Sequence, residues 1–394
     1  MSNNYNIGDE IEVRVEKIVP RGFGMGFGEK LTVMVPLAAP GDVVRVRIRD
    51  LKKRLAFADI IEVIQPGPNR IAPPCPHFGT CGGCDFQQMD YEAQLAAKAG
   101  IIRDCLHRIG KIEYEGEIPV IPSPNQFAYR SRTRWHLDRE KHTFGYFRRD
   151  SNDVIDVAEC PILTPDMQST LAAQRQSVDW DIFWSEKPQL EAATGEGGAV
   201  STFSRELSDP ATEIKSKTAY ETYAYTAEAF FQANRFLIDK LVETAIGDAS
   251  GGTAFDLYCG VGLFALPLAR RFTKVIGVEE SPVAIDFAKK NAKNAGIRNL
   301  DFSNRSVEQF LFANKTKQID LALIDPPRSG TEKQTIPQLA ALKPRQISYV
   351  SCEPSILARD LAVLLAAGYR IDSITALDLF PQTHHVETVV RLQI

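Results

Sequence analysis

Residues 349–357 read YVSCEPSIL: a short apolar run, one thiol at position 352, then an acid and a proline. A cysteine needed only for packing would serve as well inside the run. At the end of a strand and ahead of a proline-started helix, Cys352 becomes a candidate nucleophile, because a helix N-terminus favours the thiolate. A nucleophile of this kind needs a proton acceptor, and FPQTHHVETVV, residues 380–390, offers three: His384, His385 and Glu387. Glu387 is the preferred base, since a closed apolar site raises a carboxyl towards the operating pH. The two histidines stand as competitors or as residues that shape the loop. A further chemical element is Asp325-Pro326-Pro327 in LALIDPPRSG, an apolar run ending in an acid held by a stiff turn.

A second group of thiols has a different pattern. Cys75, Cys81 and Cys84 form C-x5-C-x2-C, and Cys160, followed by Pro161, lies far downstream. Four thiolates suit a tetrahedral zinc ion or a cubane iron–sulfur cluster. Zinc sites more often pair their ligands in two knuckles, whereas here three lie together and one is remote. Gly82 and Gly83 can offer backbone N–H groups to cluster sulfurs. The expected role is to pin the loop to the middle of the chain. Cys105 and Cys259 read as packing residues.

Around these residues the 394-residue chain divides into parts. Residues 1–64 alternate apolar and polar in short stretches punctuated by glycine and proline (RGFGMGFGEK, AAPGD), which predicts a small antiparallel barrel. Its stretch DVVRVRIRDL places Arg45, Arg47 and Arg49 on one face, suited either to solvent or to an RNA backbone. Residues 65–225 read as a mainly β middle domain with a Pro/Gly-rich cysteine loop and an amphipathic helix over about 91–109. There YRSRTRW interleaves Arg130, Arg132 and Arg134 with Tyr129 and Trp135, as phosphate and base contacts would require; a solvated strand with Trp135 in the core is the alternative. Residues 226–394 alternate strand and helix, which predicts a doubly wound parallel α/β domain. The net charge of −4 gives no global nucleic-acid signature. With no apolar run of membrane-spanning length and no basic, apolar leader at the start, a cytoplasmic location is expected.

The α/β domain opens with FDLYCGVGLFALPLA, a strand, a turn carrying Gly260 and Gly262, and a helix start. It is neither G-x-G-x-x-G nor a phosphate loop, which disfavours dinucleotides and triphosphates. Glu279 ends the next strand, 23 residues after Asp256, where it can accept hydrogen bonds from ribose hydroxyls. This pairing resembles the class I S-adenosylmethionine methyltransferases, and D-P-P occurs in those acting on planar nucleobases and amides. Uracil C5 is too weak a nucleophile to take a sulfonium methyl directly. A thiolate adding to C6 makes it reactive, and a base must then remove the C5 proton.

The motifs DLYCGVG, IDPPRSG, SCEPSILARDL and HHVETVV, in this order, resemble the RNA 5-methyluridine methyltransferases. Residues 1–64 resemble the TRAM domain, an OB-like RNA-binding module. The resemblance spans nearly the whole chain. It implies a nucleophile at Cys352, a base at Glu387, and cofactor contacts at Gln232, Tyr258, Gly260, Gly262, Leu263, Glu279, Ser306 and Asp325. Leu263 stands where the family often has Asn, and S-C-E-P replaces S-C-N-P. The resemblance also implies a 4Fe–4S cluster on Cys75, Cys81, Cys84 and Cys160, and RNA as partner. The barrel and cluster look more like the enzymes of 23S rRNA than those of tRNA uridine-54. Two rivals remain: an N-methyltransferase using D-P-P with Cys352 idle, and a non-catalytic, redox-sensing RNA-binding protein.

Overall fold

The structure is a computed structural model describing residues 5–314, 316 and 318–394. Five strands, β1 (Glu10–Val19), β2 (Phe23–Gly28), β3 (Leu31–Val35), β4 (Val43–Lys52) and β5 (Leu55–Gln65), close a barrel in the order β1-β2-β3-β5-β4. Alternation turns Val13, Val15, Val33, Val35, Val44, Val46 and Ile48 inward. The glycine-rich stretch expected to punctuate the strands is itself strand β2. A Cβ on Gly26 would lie 2.3 Å from the Arg14 carbonyl oxygen, so only glycine lets β2 close against β1. The arginines of β4 are not a field of free cations. Arg45 pairs with Glu12 and Glu62, Arg47 with Glu10, and Arg49 with Asp59 and Asp150.

After the barrel come the cysteine loop, α1 (Tyr91–Cys105) and the short β6 (Val120–Ile121). A five-stranded antiparallel sheet follows, built from β7 (Arg132–Asp138), β8 (Thr143–Phe147), β9 (Val154–Asp156), β10 (Gln189–Thr194) and β11 (Val200–Phe203), in the order β11-β10-β7-β8-β9. The helix α2 (Pro165–Ser177) covers it, burying Trp135, Leu137, Phe144, Met167 and Leu171. A separate hairpin, β12 (Ile214–Lys217) and β13 (Thr222–Tyr225), completes this segment.

The remainder winds α3 (Ile238–Ile246), β14 (Gly251–Leu257), α4 (Ala265–Ala269), β15 (Phe272–Glu279), α5 (Pro282–Asn294), β16 (Leu300–Asn304), α6 (Val307–Ala313), β17 (Leu321–Ile324), α7 (Thr335–Leu342), β18 (Gln346–Ser351), α8 (Pro354–Ala366), β19 (Arg370–Leu377) and β20 (Glu387–Gln393). The sheet order is β16-β15-β14-β17-β18-β20-β19-β6. The strands from β14 to β18 run parallel, and β20 inserts antiparallel beside β18. Capping residues start the helices: Asp90 accepts from the Ala93 N–H at 2.8 Å, and Ser281 from the Ala284 N–H at 3.3 Å with Pro282 at the first position.

The expected boundary of the middle domain does not hold as a single cut. β6 is the edge strand of the large sheet, and Ile101, Ile102, Cys105 and Ile118 pack with Leu357 and Leu361 of α8. Ile214, Tyr223 and Tyr225 of the hairpin pack with Leu263 and Phe264. Local periodicity predicts a strand or a helix, but it does not say which core receives the apolar face. Nor is the buried face of α1 wholly apolar, because it carries Gln94 and Lys98, one turn apart. Lys98 pairs with Asp378 in the β19–β20 loop, and both side chains are fully buried.

Removing one partner of such a pair strands the other charge. Lys98→Met should lower the unfolding free energy by about 3–5 kcal/mol in urea titrations, whereas Lys98→Met with Asp378→Leu should recover most of it. Equal, additive losses would show that the pair is not what holds α1 to the loop.

Candidate active site

The winding direction reverses between β14 and β17, and open α/β sheets bind ligands at the carboxyl edge of such a crevice. Register places the candidate residues there. Leu257 pairs with Ile324 and Ile324 with Tyr349, so Asp325 lies beside the β14 turn and Cys352, the residue after β18 ends, lies two residues further out. Ser351 pairs with Thr388 of antiparallel β20, which brings Glu387 to the same edge as Cys352. Cys352 is followed at once by Glu353, whose carboxylate accepts from the Ser355 hydroxyl at 2.6 Å and from the Ser355 N–H at 3.4 Å, with Pro354 starting α8. The residue that departs from the family pattern is thus the helix cap.

Charge is what sets this edge apart. Burial, then Glu387, pushes the Cys352 thiol up to about 12, while Arg328 pulls the other way. Burial raises Asp325 to about 7. Glu387 lies well above the usual carboxyl range, through burial first and Asp325 second, again opposed by Arg328. Asp256, at the end of β14, is fully buried, and neither of its carboxylate oxygens has a hydrogen-bond partner among the described residues. Its pKa is also raised well above normal, by burial first and Asp325 second. An edge with this many uncompensated buried carboxyls fits a ligand bearing positive charge.

The turn after β14 is shaped for close approach. Gly262 has φ +98°, and a Cβ there would meet Leu266 at 2.6 Å, whereas a Cβ on Gly260 would meet nothing within 4 Å. The Gly260 N–H donates to Glu279 Oε2 at 3.0 Å, and the Ser281 N–H donates to Oε1 at 2.8 Å, so Glu279 is fixed at the end of β15. Tyr258, with φ +66°, bonds through its hydroxyl to Glu332. Leu263 is buried, and its carbonyl accepts from the Tyr223 hydroxyl at 2.9 Å. Ser306 caps α6, accepting from the Gln309 N–H at 3.3 Å. Gln232 is also buried but borders a different cavity, of about 280 Å3, with Tyr225, Arg235 and Phe236. These features fit S-adenosylmethionine: an open cradle at Gly260, an acid at the second strand's end, and buried carboxyls that would favour a cationic ligand.

Sequence reasoning assigned no role to Arg328 or Asp256. Arg328 stood in the quoted D-P-P-R motif, and an arginine one residue past a stiff, edge-facing turn was a signal available to it. Arg328 also lies over the Phe380 ring at 5.7 Å. His385, at an edge-to-face 6.1 Å from Phe380, is driven down to about 2 by burial and by His384 and Arg328, so it is neutral.

Cys75, Cys81, Cys84 and Cys160 line one cavity of about 150 Å3 with Gln87, Arg130 and Tyr146. The Gly83 N–H donates to the Cys81 sulfur at 3.4 Å. Among the described residues no three His, Cys, Asp or Glu side chains are gathered closely enough to hold a metal ion. The arginine stripe differs from expectation. Arg130 turns into the cysteine cavity, Arg132 bonds to Glu191 and to the Ala227 and Ala229 carbonyls, and Arg134 shares Glu191 from β10. Tyr129 and Trp135 are core residues and present no face for a base. The exposed aromatics nearby are Phe230, with Arg132 at 5.9 Å, and Phe236, with Arg235 at 5.4 Å.

The model of the tRNA (Uracil-5-)-methyltransferase family matches residues 203–394, and that of the TRAM domain matches residues 5–61. Uncharacterized RNA methyltransferases of Thermosynechococcus vestitus and Aquifex aeolicus are 31% and 30% identical, each match covering 98% of both chains. The tRNA (uracil(54)-C(5))-methyltransferase of Schizosaccharomyces pombe is 30% identical over 97% of this chain and 78% of its own. Among solved structures, Pyrococcus abyssi tRNA (uracil-54, C5)-methyltransferase in complex with S-adenosyl-L-homocysteine superposes with a TM-score of 0.75, at 26% identity, over 97% of this chain and all of that one. Matched from end to end by such relatives, and with its motifs collected at one sheet edge, this chain belongs to the S-adenosylmethionine-dependent RNA uracil-C5 methyltransferases.

Proposed function

We propose that the protein methylates C5 of a uridine in folded RNA through a covalent bond between Cys352 and uracil C6. The observation that carries this reading is the register of β18 and β20, which sets a thiol and a buried carboxyl side by side at the cofactor edge. Cys352 gives its proton to solvent and adds through Sγ, as the thiolate, to C6, and the ring becomes an enolate whose C5 is nucleophilic. S-adenosylmethionine, when bound at the β14–α4 turn, supplies the methyl group as an electrophilic sulfonium. Arg328 stabilises negative charge on the thiol and then on the enolate. C5 takes the methyl group, Glu387 takes the C5 proton, the Sγ–C6 bond breaks, and Sγ leaves as the thiolate. A base must be ionised to take the proton, and Arg328 favours that form of Glu387. The target base must leave its stack to reach the edge, and Phe230 and Phe236, each beside an arginine, offer exposed faces for neighbouring bases.

Cys75, Cys81, Cys84 and Cys160 would hold a 4Fe–4S cluster, which supplies a rigid crosslink between the loop and the five-stranded sheet. Their shared cavity and the N–H donor to Cys81 support this reading. The favoured substrate is 23S rRNA, on the likeness of the barrel and cysteine loop to rRNA enzymes. A second reading is tRNA uridine-54, favoured by the end-to-end match to the P. abyssi enzyme. Mapping 5-methyluridine in rRNA and tRNA of a deletion strain separates them: the site lost names the substrate.

RNA carrying 5-fluorouridine lacks the proton that Glu387 would remove, so the protein should form a denaturation-resistant adduct that vanishes in Cys352→Ala. Glu387→Gln should slow turnover about 100- to 10,000-fold and leave the adduct standing on ordinary uridine RNA. Active protein that never forms an adduct would favour N-methylation instead.

In protein without cofactor or RNA, iodoacetamide should modify Cys352 slowly, with a rate still rising about tenfold per pH unit beyond pH 9, since the folded-state pKa is raised to about 12. Peptide mass spectrometry isolates this site from the other cysteines. A plateau near pH 8.5 would mean that burial and Glu387 do not act on the thiol.

A further inference from the structure

The loop between β19 and β20, residues 378–386, leads directly into Glu387, yet much of its anchoring comes from outside the large sheet. The Lys98 ammonium donates to the Phe380 carbonyl at 3.0 Å, and the Tyr129 hydroxyl to the Pro381 carbonyl at 3.0 Å. Gln382, at φ +70°, exchanges two 3.0 Å bonds with the Gln94 amide. Its carbonyl accepts from the Asp85 and Phe86 N–H groups at 2.9 and 3.0 Å. One step on, Asp85 Oδ2 holds His384 Nδ1 at 2.6 Å, while Asp85 Oδ1 is held by Arg149 at 2.9 Å. The His384 ring lies 4.1 Å from that of His385, and both His385 and Arg328, the cation beside Cys352, pack on the Phe380 ring.

We propose that Asp85, the residue directly after Cys84, is a positioning residue for the uracil chemistry: through His384 it fixes the 380–387 loop that presents His385 and Glu387 to the Cys352 edge. This rests on the function proposed above. Asp85 touches no reacting atom. Its carboxylate is clamped from one side by Arg149, which also bonds the Cys84 carbonyl, and so offers His384 an acceptor in a fixed place. The cysteine loop thereby contributes to catalysis through geometry and without electron transfer. A displacement of about 1 Å at a reacting group costs on the order of 100-fold in rate, so the effect is expected in the chemical step and not in RNA affinity.

The test uses the full chain with its bound cluster and compares single-turnover methyl transfer to RNA with RNA binding. Asp85→Ala and His384→Ala should each slow transfer about 10- to 100-fold at saturating RNA and S-adenosylmethionine, with RNA affinity within about twofold. The double variant should be no slower than either single one, since the two side chains act as one unit. Hydrogen exchange in a peptide covering 380–387 should quicken in Asp85→Ala while that of β14–β17 stays unchanged. Asp85→Asn keeps the size of the side chain and leaves the Asp85 and Phe86 N–H bonds intact. It should show the same split, with a loss of about tenfold, at matched iron content and melting temperature. Transfer rates within twofold of wild type, losses confined to RNA affinity, or additive losses in the double variant would each overturn the proposal. Failure of the unmutated protein to methylate any uridine would instead sink the underlying reading, and that is measured first.

Discussion

Burying several carboxyl groups at one sheet edge with too little positive charge to match them is the constraint around which this molecule is organised. Asp256, Asp325 and Glu387 raise one another or are raised by burial, and Arg328 offsets only part of that. Such an arrangement is unfavourable in an empty protein and becomes favourable when a cation enters. The sheet provides the rigidity that the arrangement needs. Parallel strands β14, β17 and β18 end at fixed heights, and antiparallel β20 starts at the same edge, so the acids cannot relax away from each other.

The same constraint explains why the thiol is quiet at rest. A sulfur whose pKa stands near 12 is protonated at neutral pH, which guards it against oxidation and adventitious alkylation. Reactivity must then arrive with the ligands. A cation beside the carboxyls weakens their hold on the thiol's proton, and Arg328 is already in place to receive the negative charge. The helix start at Pro354 adds a smaller favourable field, even though Glu353 spends its carboxylate on capping.

Much of the site was legible because its motifs are local in sequence. A strand followed by a turn residue of unusual type, as in DLYCGVG, IDPPRSG and YVSCEP, marks an edge without knowledge of the neighbours. What stayed hidden depends on partners far along the chain. The arginines at 130, 132 and 134 alternate as an RNA-facing stripe would. Glu191, 57 residues after Arg134, pairs with Arg132 and Arg134, and Arg130 and Arg134 line the cysteine cavity. Tyr129 looked like a base-stacking residue, and its hydroxyl instead holds Pro381, 252 residues away. Strand β2 was obscured because glycine ordinarily breaks strands, and here a close approach of backbones requires it.

The appended parts of the chain have a common logic. A class I sheet alone would leave the β19–β20 connection as a long surface loop, free to sample many conformations, and ordering it would have to be done by RNA at the expense of affinity. Helix α1 and the cysteine loop do that ordering in advance. They place a buried lysine, a glutamine and an aspartate against the loop's backbone, its Gln382 and its first histidine, and β6 fastens the same segment to the edge of the sheet. Because the cysteine loop is itself tied to β8 through the Gly82 N–H to Phe147 carbonyl bond, at 3.0 Å, the 378–386 loop and the five-stranded sheet share one scaffold.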